Sequence, residues 1–449
     1  MDKRPRRGRP LGVAIAGLGN VGRETARLLT ANRAKFSARL GGDLRLAWVC
    51  ERRASARRMG LPGSVRRATD FAPLLRDPAV DIVIELFGGV RHARRLVLDA
   101  LAAGKHVVTA NKHLLSQCWN EVCAASRRHE RSVYFEAAVA GGIPIVQAIR
   151  FGLAANRIDT VYGIFNGTTN HILSQMAHEG CEMADALREA QRLGMAEADP
   201  TLDLNGTDTA HKISIVASML TGNWLPPDRI PRQGIERIEA EDIGFAVRSL
   251  GRTVRLIGTI APRWDARPVS VEAHVQPTLV PLKHPLAAVH GGYNAVIVQA
   301  SAADDLMFYG KGAGPGPAAS AVLADLLALG GEILGGGAPT YPSGPQEGGN
   351  ARHRIASPVE ESEAPYYLKL RVRDVPGALS RITGILGRAG ISIARIHQDA
   401  RAAGRGRAVP VMILTHAARR ALIDRARRAI TALPMVDRAH SCLRLLPDS

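Results

Sequence analysis

The chain has 449 residues, is 46% hydrophobic and carries a formal net charge of +18. That length holds two to four domains, each with its own core, and the apolar share is ordinary for a globular protein. No uninterrupted apolar run reaches the ~18 residues of a membrane helix, and the arginines form no stripe interleaved with aromatics, so neither a membrane nor a nucleic acid is the expected partner.

The first ten residues, MDKRPRRGRP, read as a disordered basic tail. A twin-arginine export signal is rejected, because the apolar stretch that follows is glycine-rich and runs into a nucleotide-binding pattern. LGVAIA (Leu11 to Ala16) suits a buried parallel strand, GLGNVG (Gly17 to Gly22) follows, and RETARLLTANRA reads as a helix. Strand, glycine turn and helix are the context a dinucleotide fingerprint needs. Gly17 permits the tight turn, Gly19 lets a pyrophosphate approach the backbone, and Gly22 lets the helix pack on the strand. Asn20 and Val21 open the helix N-terminus that faces the phosphates.

LRLAWVC (Leu44 to Cys50) is a second strand, followed by Glu51, Arg52 and Arg53. An acid at this strand end binds a ribose 2′-hydroxyl and a base accepts a 2′-phosphate, so NAD and NADP both stay open. VDIVIELFGG, GKHVVTANK and SVYFEAAVAGGIPI read as further strands, the last with a glycine break. Ligands on such sheets bind at the carboxyl ends of strands, which makes Gly88, Lys112 and the Glu136 to Ile143 segment pocket candidates.

The expected fold class is α/β. Residues 11–135 form a Rossmann-type doubly wound parallel sheet. Residues 136–330 form a second, α+β domain, with 305–330 packing back on the nucleotide domain. The glycine-, proline- and serine-rich residues 331–363 read as a linker. Residues 364–449 form a small βαβ-type domain, with YYLKLRVRD as an alternating strand, VPGALSRITGILGRAG as a helix and ISIARIHQD as a second strand.

Cys50, Cys118, Cys123, Cys181 and Cys442 make no C-x-x-C pair, and no His cluster has zinc spacing. Scattered cysteines fit a reducing cytoplasm. Only eight lysines occur among the 59 basic residues, so arginine is the default cation. A lysine then suggests a task arginine cannot do, since only lysine can release a proton near neutral pH.

One lysine closes an acidic stretch of this basic chain, AEADPTLDLNGTDTAHK (Ala196 to Lys212). Pro200 and Gly206 break regular structure, so Glu197 to Asp203 reads as a loop, and TDTAHK begins a helix. Asp208 and Lys212, at i and i+4, share a face of that helix. By itself this spacing is an ordinary helix salt bridge. A second lysine, Lys112, ends a strand of the nucleotide-binding sheet, and a carboxylate cluster with a cationic acid/base is what a small amino-acid substrate needs. Carboxylates pair with the substrate ammonium, and a lysine ammonium stabilises or protonates the oxygen formed when an aldehyde accepts hydride.

GLGNVG, TANK (Thr109 to Lys112), EAAVAGGIPI (Glu136 to Ile145), GIFNGTTN (Gly163 to Asn170), the long acidic run and GKGAG (Gly310 to Gly314) occur in this order. This set resembles the motif set of the homoserine dehydrogenase family over roughly residues 11 to 330. The resemblance implies reversible reduction of L-aspartate 4-semialdehyde to L-homoserine with NADP or NAD, on the way to threonine, isoleucine and methionine. It implies Lys212 as general acid/base, Lys112 in contact with cofactor and substrate, and Glu197 and Asp208 as substrate ligands, with Asp203 in the same motif. Gly194 and Gly314 would line the nicotinamide half of the cofactor, with Gly17, Gly19, Asn20, Val21, Gly22, Arg52, Gly88 and Lys112 as its other contacts. A structural sodium ion would be held at Glu136, Val139, Gly141 and Ile143 through backbone carbonyls. Asn166 and Asn170 are expected to cap turns, and His211 to be a bystander. Two positions depart from the family: Met195 stands where tyrosine is usual, and Ala318 where threonine is usual.

The C-terminal unit resembles an ACT domain, a ferredoxin-like module. It carries a D-x-P-G turn (Asp374, Pro376, Gly377) and the I-S-I strand (Ile391 to Ile393). That resemblance implies an amino-acid effector, with threonine expected, and the whole a cytoplasmic homodimer or homotetramer. The competing readings are a catalytically inactive amino-acid sensor and a related amino-acid oxidoreductase.

Overall fold

β1 (Leu11–Ala16) is buried along its whole length, as a strand covered by helices on both faces must be. The structure, a computed structural model, describes residues 9–52, 60–266, 269–342, 362–398 and 408–448. Arg53, most of the basic tail and the central part of the expected linker therefore lie outside the described residues. Beside β1 lie β2 (Leu44–Cys50), β3 (Arg66–Ala68), β4 (Ile82–Glu85), β5 (His106–Thr109) and β6 (Val133–Tyr134). All pairs are parallel, in the order β3-β2-β1-β4-β5-β6. Strand order reverses between β1 and β4, and the carboxyl ends there frame the crevice where such sheets take ligands. α1 (Asn20–Ala31) follows β1, and α2 (Lys112–Arg128) follows β5. The last two residues of the expected tail are in place: Arg9 pairs with Asp81 at 3.2 Å.

The strand expected from Ser132 on is cut to two residues. A 3₁₀ turn replaces it at Glu136–Ala138. The cause is the Glu136 side chain, which accepts the N–H groups of Val146 (2.8 Å) and Gln147 (2.7 Å) and folds the segment back over itself.

The second body is built on β7 (Ile158–Ile164), β8 (Arg252–Arg263), β9 (Ser270–Pro281), β10 (Tyr293–Ala300) and β11 (Asp304–Lys311). Against it pack α3 (Gly167–Glu179), α4 (Thr207–Thr221) and α5 (Ala240–Leu250). α4 is buried on every side from Asp208 to Met219, so Asp208, His211 and Lys212 are held inside the protein along with the apolar residues that follow them. The loop expected over Glu197 to Asp203 contains the start of a short helical turn, Thr201–Leu204.

α6 (Pro315–Gly335) then returns to the first sheet. Val322, Leu323, Leu326 and Leu329 join Leu11, Val13, Ile15 and Leu29 in one core. By length and composition α6 could cross a membrane; here its apolar face is spent on α1 and the sheet. It runs five residues past the expected start of the linker, because residues 331–335 hold no breaker stronger than glycine. The chain stays pinned beyond it: Val133 N–H donates to Thr340 O (3.2 Å) and Arg150 to Tyr341 O (2.8 Å).

The C-terminal unit runs β12 (Glu363–Ala364), β13 (Tyr366–Arg373), α7 (Ala378–Arg388), β14 (Ile393–Gln398), β15 (Ala408–Thr415), β16 (Ala418–Arg419), α8 (Arg420–Thr431) and β17 (Val436–Leu445). Apart from the small β12–β16 pair, it is the βαββαβ pattern of the ferredoxin-like fold. β17 pairs in parallel with β9, so both bodies share one sheet, β11-β10-β7-β8-β9-β17-β13-β15-β14. This changes the reading of β13. Its alternating sequence suggested one wet face, yet Tyr366 to Leu370 is buried on both. α5 covers the second face, and Lys369, fully buried, meets Glu239 (2.6 Å), Glu241 (3.2 Å) and Asp242 (3.3 Å) there.

Candidate active site

The glycine turn between β1 and α1 has three distinct constraints. Gly17 has φ +99°, and a Cβ on it would lie 2.6 Å from Leu86 O. A Cβ on Gly22 would lie 1.9 Å from Gly17 O, so helix and turn are in backbone contact. A Cβ on Gly19 would meet nothing within 4 Å. That open face lies at the exposed first turn of α1, with Asn20 exposed and Val21 half-buried. N–H groups and open space at a helix N-terminus suit a phosphate. Leu18 N–H donates to the Glu51 carboxylate at 2.9 Å, tying the turn to the end of β2. Glu51, Arg52, Gly88 and His92 line one cleft beside this turn.

The ends of β4 and β5 are joined by groups the sequence reading passed over. Glu85 is fully buried and accepts from Phe87 N–H (2.7 Å) and the Thr109 hydroxyl. Burial pushes its carboxyl up to about 7 against those bonds. Asn111 caps α2 by accepting from Leu114 N–H (3.0 Å), and it donates to Gly89 O (2.8 Å). Together they fix the backbone from which Lys112, the first residue of α2, reaches out.

Lys112 meets the second body at Asp208. The Asp208 carboxylate takes Lys112 Nζ at 3.0 Å on one oxygen and Lys212 Nζ at 2.7 Å on the other. Lys212 Nζ also donates to Phe165 O at 2.6 Å. The Asn166 amide donates to Asp203 (2.7 Å) and Asp208 (2.8 Å), while its own oxygen caps α3 through Thr169 N–H (2.8 Å). Asn166 was expected only as a cap; it also holds two site carboxylates. Gly206, at φ +80°, starts α4 so that Asp208 falls in its first turn, where a negative charge is favoured.

The electrostatics follow from this packing. Burial opposes the Asp208 carboxylate, but Lys212 and Lys112 outweigh it and hold its pKa well below the usual range. Burial also opposes the Lys112 ammonium, and Asp208, Asp203 and Glu197 more than offset that, so its pKa is raised. Burial and then Asp208 raise the pKa of Asp203. Glu197 is exposed and within electrostatic reach of Lys112.

Gly194 (φ +69°) is exposed, and Met195 is 44% exposed, its carbonyl taking the Thr168 hydroxyl at 2.9 Å. Gly314 (φ +116°) caps α6, and the half-buried Ala318 donates its N–H back to Gly314 O at 3.1 Å. A Cβ on Gly141 would lie 2.4 Å from Gly312 O, so the Glu136 to Ile143 segment and the Gly310 to Gly314 motif are in backbone contact. Asn170 donates to Val289 O, Gly291 O and Tyr293 O, clamping that loop. His211 faces Ser116 at 2.6 Å and the His113 ring, and burial depresses its pKa to about 4.

A 3-2-1-4-5-6 parallel sheet, a fingerprint open at Gly19 and a lysine–carboxylate cluster against it define a nicotinamide-nucleotide-dependent oxidoreductase. The family follows from comparison. Residues 17–136 match the model of the homoserine dehydrogenase NAD-binding domain, 144–327 that of homoserine dehydrogenase, and 366–432 that of the ACT domain. The chain is 40% identical over 442 residues to homoserine dehydrogenase of Mycobacterium tuberculosis, covering 97% of this chain and 98% of that one. A crystal structure of a homoserine dehydrogenase from Thiobacillus denitrificans superposes with TM-score 0.89, at 38% identity over 98% of both chains. A hyperthermophilic archaeal homoserine dehydrogenase in complex with NADPH is similar in fold, with TM-score 0.60 and 24% identity over 71% of this chain and 97% of that one. The chain belongs to the homoserine dehydrogenase family.

Proposed function

We propose that this chain catalyses the reversible reduction of L-aspartate 4-semialdehyde to L-homoserine with NADH or NADPH. The observation that carries the reading is the Asp208 carboxylate set between the ammonium groups of Lys112 and Lys212. The open face at Gly19 and the free first turn of α1 fit a dinucleotide. When bound, its nicotinamide supplies the hydride.

Lys212 is the general acid of the reduction. Its ammonium gives a proton to the oxygen on which charge develops, and in reverse its neutral amine takes the alcohol proton as homoserine is oxidised. Asp208 and Phe165 O fix Lys212 in place. Lys112, from the nucleotide-binding body, contacts cofactor and substrate. Glu197 and Asp208 bind the substrate, with Asp203 beside them. Gly194 and Gly314 line the nicotinamide half of the cofactor.

The Glu136 carboxylate is committed to two backbone N–H groups, so an ion at this turn is left the carbonyl oxygens of Glu136, Val139, Gly141 and Ile143. Such a donor set fits a hard cation, and sodium is our assignment. The C-terminal unit is an amino-acid-responsive domain with threonine as effector, and the enzyme works as a homodimer or homotetramer.

Absorbance at the nicotinamide band tests the reading. Purified protein is mixed with L-homoserine and NAD or NADP, and then with threonine. Homoserine-dependent reduction supports the assignment, and inhibition by threonine supports the effector. Folded protein that reduces neither cofactor would refute the reaction and favour an amino-acid sensor.

A further inference from the structure

We propose that Glu51 sets the cofactor preference of this chain, favouring the dinucleotide with a free adenosine 2′-hydroxyl, NAD(H), over the 2′-phosphorylated NADP(H). The proposal rests on the first sheet being the nucleotide-binding one. Glu51 is the first residue after β2, and its carboxylate accepts the N–H of Leu18, between Gly17 and Gly19, at 2.9 Å. Gly17 N–H donates to Cys50 O at 2.9 Å. Two bonds thus tie the end of β2 to the fingerprint and hold the carboxylate at its edge. A dinucleotide whose pyrophosphate sits at the α1 N-terminus carries its adenosine ribose past this strand end.

A free 2′-hydroxyl can donate to a fixed carboxylate. A 2′-phosphate brings negative charge against it and offers no proton in exchange. The surrounding cleft reinforces the difference. It is lined by Glu51, Asp70, Arg52, Thr69, Gly88 and His92, and the Asp70 carboxylate is fixed by Ala72 N–H at 2.7 Å. Cys50 lines the same cleft, and its thiol pKa is raised by burial first and then by Asp70 and Glu51, with Arg52 opposing them. The exposed Arg52 guanidinium is turned to His92 Nε2, 3.5 Å away. The archaeal relative solved with NADPH shares only the fold, so its ligand does not bear on this strand end.

Calorimetric titration of the full-length protein with NADH and with NADPH, at constant ionic strength, tests the proposal without turnover. The wild type is expected to bind NADH about tenfold or more tightly than NADPH, since like charges brought together at a binding site disfavour the wrong ligand. Glu51→Gln removes the charge and should shrink that ratio, mainly by strengthening NADPH. Glu51→Asp keeps the charge with a shorter reach; it should weaken NADH yet still disfavour NADPH, and it serves if the amide variant does not fold. Equal or tighter binding of NADPH by the wild type overturns the proposal and hands the 2′-phosphate to the basic run that begins at Arg52. An unchanged ratio in Glu51→Gln overturns it too. Failure of the reaction assignment looks different: homoserine would drive no reduction while the binding ratio stood.

Discussion

Asp208 and Lys212 stand one helical turn apart on α4, and the Lys212 ammonium lies 2.7 Å from the Asp208 carboxylate. An exposed pair at this spacing is worth a few tenths of a kcal/mol. Here both side chains are nearly buried, and the second carboxylate oxygen is taken by Lys112 at 3.0 Å. The pair is therefore a fixed charge arrangement rather than a surface contact.

Lys212→Ala should lower kcat by about 100- to 10,000-fold, the usual worth of a positioned general acid. Dinucleotide affinity, measured by titration in the same preparation, should hold, because Lys112 and the fingerprint remain. Wild-type turnover in this variant would remove Lys212 from the chemistry.

Gly22→Ala and Gly19→Ala should separate packing from ligand approach. At Gly22 the new Cβ meets Gly17 O at 1.9 Å, so both the melting temperature and dinucleotide affinity should fall. At Gly19 the free chain has room, so affinity should fall with the melting temperature unchanged, because the new Cβ takes the space through which a pyrophosphate approaches the backbone. An affinity unaffected at Gly19 would place the pyrophosphate elsewhere.

His274, buried where β9 meets β17, should make that junction acid-sensitive. Burial first, then Arg444 and Arg420, depress its pKa from 6.5 to about 3. Between those values the unfolded chain binds the proton and the folded chain does not. Stability is thus full above about pH 6.5 and lost as the pH falls below it, by about 1.4 kcal/mol per unit until the folded pKa is reached. Thermal melts from pH 7 to 5 should show a steeper loss for the wild type than for His274→Gln; parallel curves would mean that other groups dominate.

Lys369→Met should destabilise the joint between α5 and β13 by about 3 kcal/mol, because Glu239, Glu241 and Asp242 are left without their buried cation. Urea unfolding measures it. A change near zero would show that water or Arg371, 3.5 Å from Glu241, takes over the role.

The scarcity of lysine was a useful signal but an incomplete one. It pointed to Lys112 and Lys212, which do meet at one carboxylate. It points equally to Lys105 and Lys369, which are also buried and serve structure: Lys105 donates to Asp77 O (2.9 Å) and Val80 O (2.7 Å). What lysine offers at all four places is a compact ammonium with three donors that fits where a guanidinium fork does not. Which of these charges borders a ligand cannot be read from composition.

The glycine fingerprint, the flanking strand and helix, and the Asp208–Lys212 pair were legible because each is local. Backbone sterics and the helical repeat fix such geometry within a few residues, whatever the rest of the chain does. The meeting of Lys112 with Asp208, the bridge from Asn166 to Asp203 and Asp208, and the Glu51 bond to Leu18 join segments far apart in the chain. So does the continuous sheet from β9 to β17, which welds on a unit that reads as separate. Only packing brings such groups within bonding distance, and burial then sets their charge states by removing the water that would screen them.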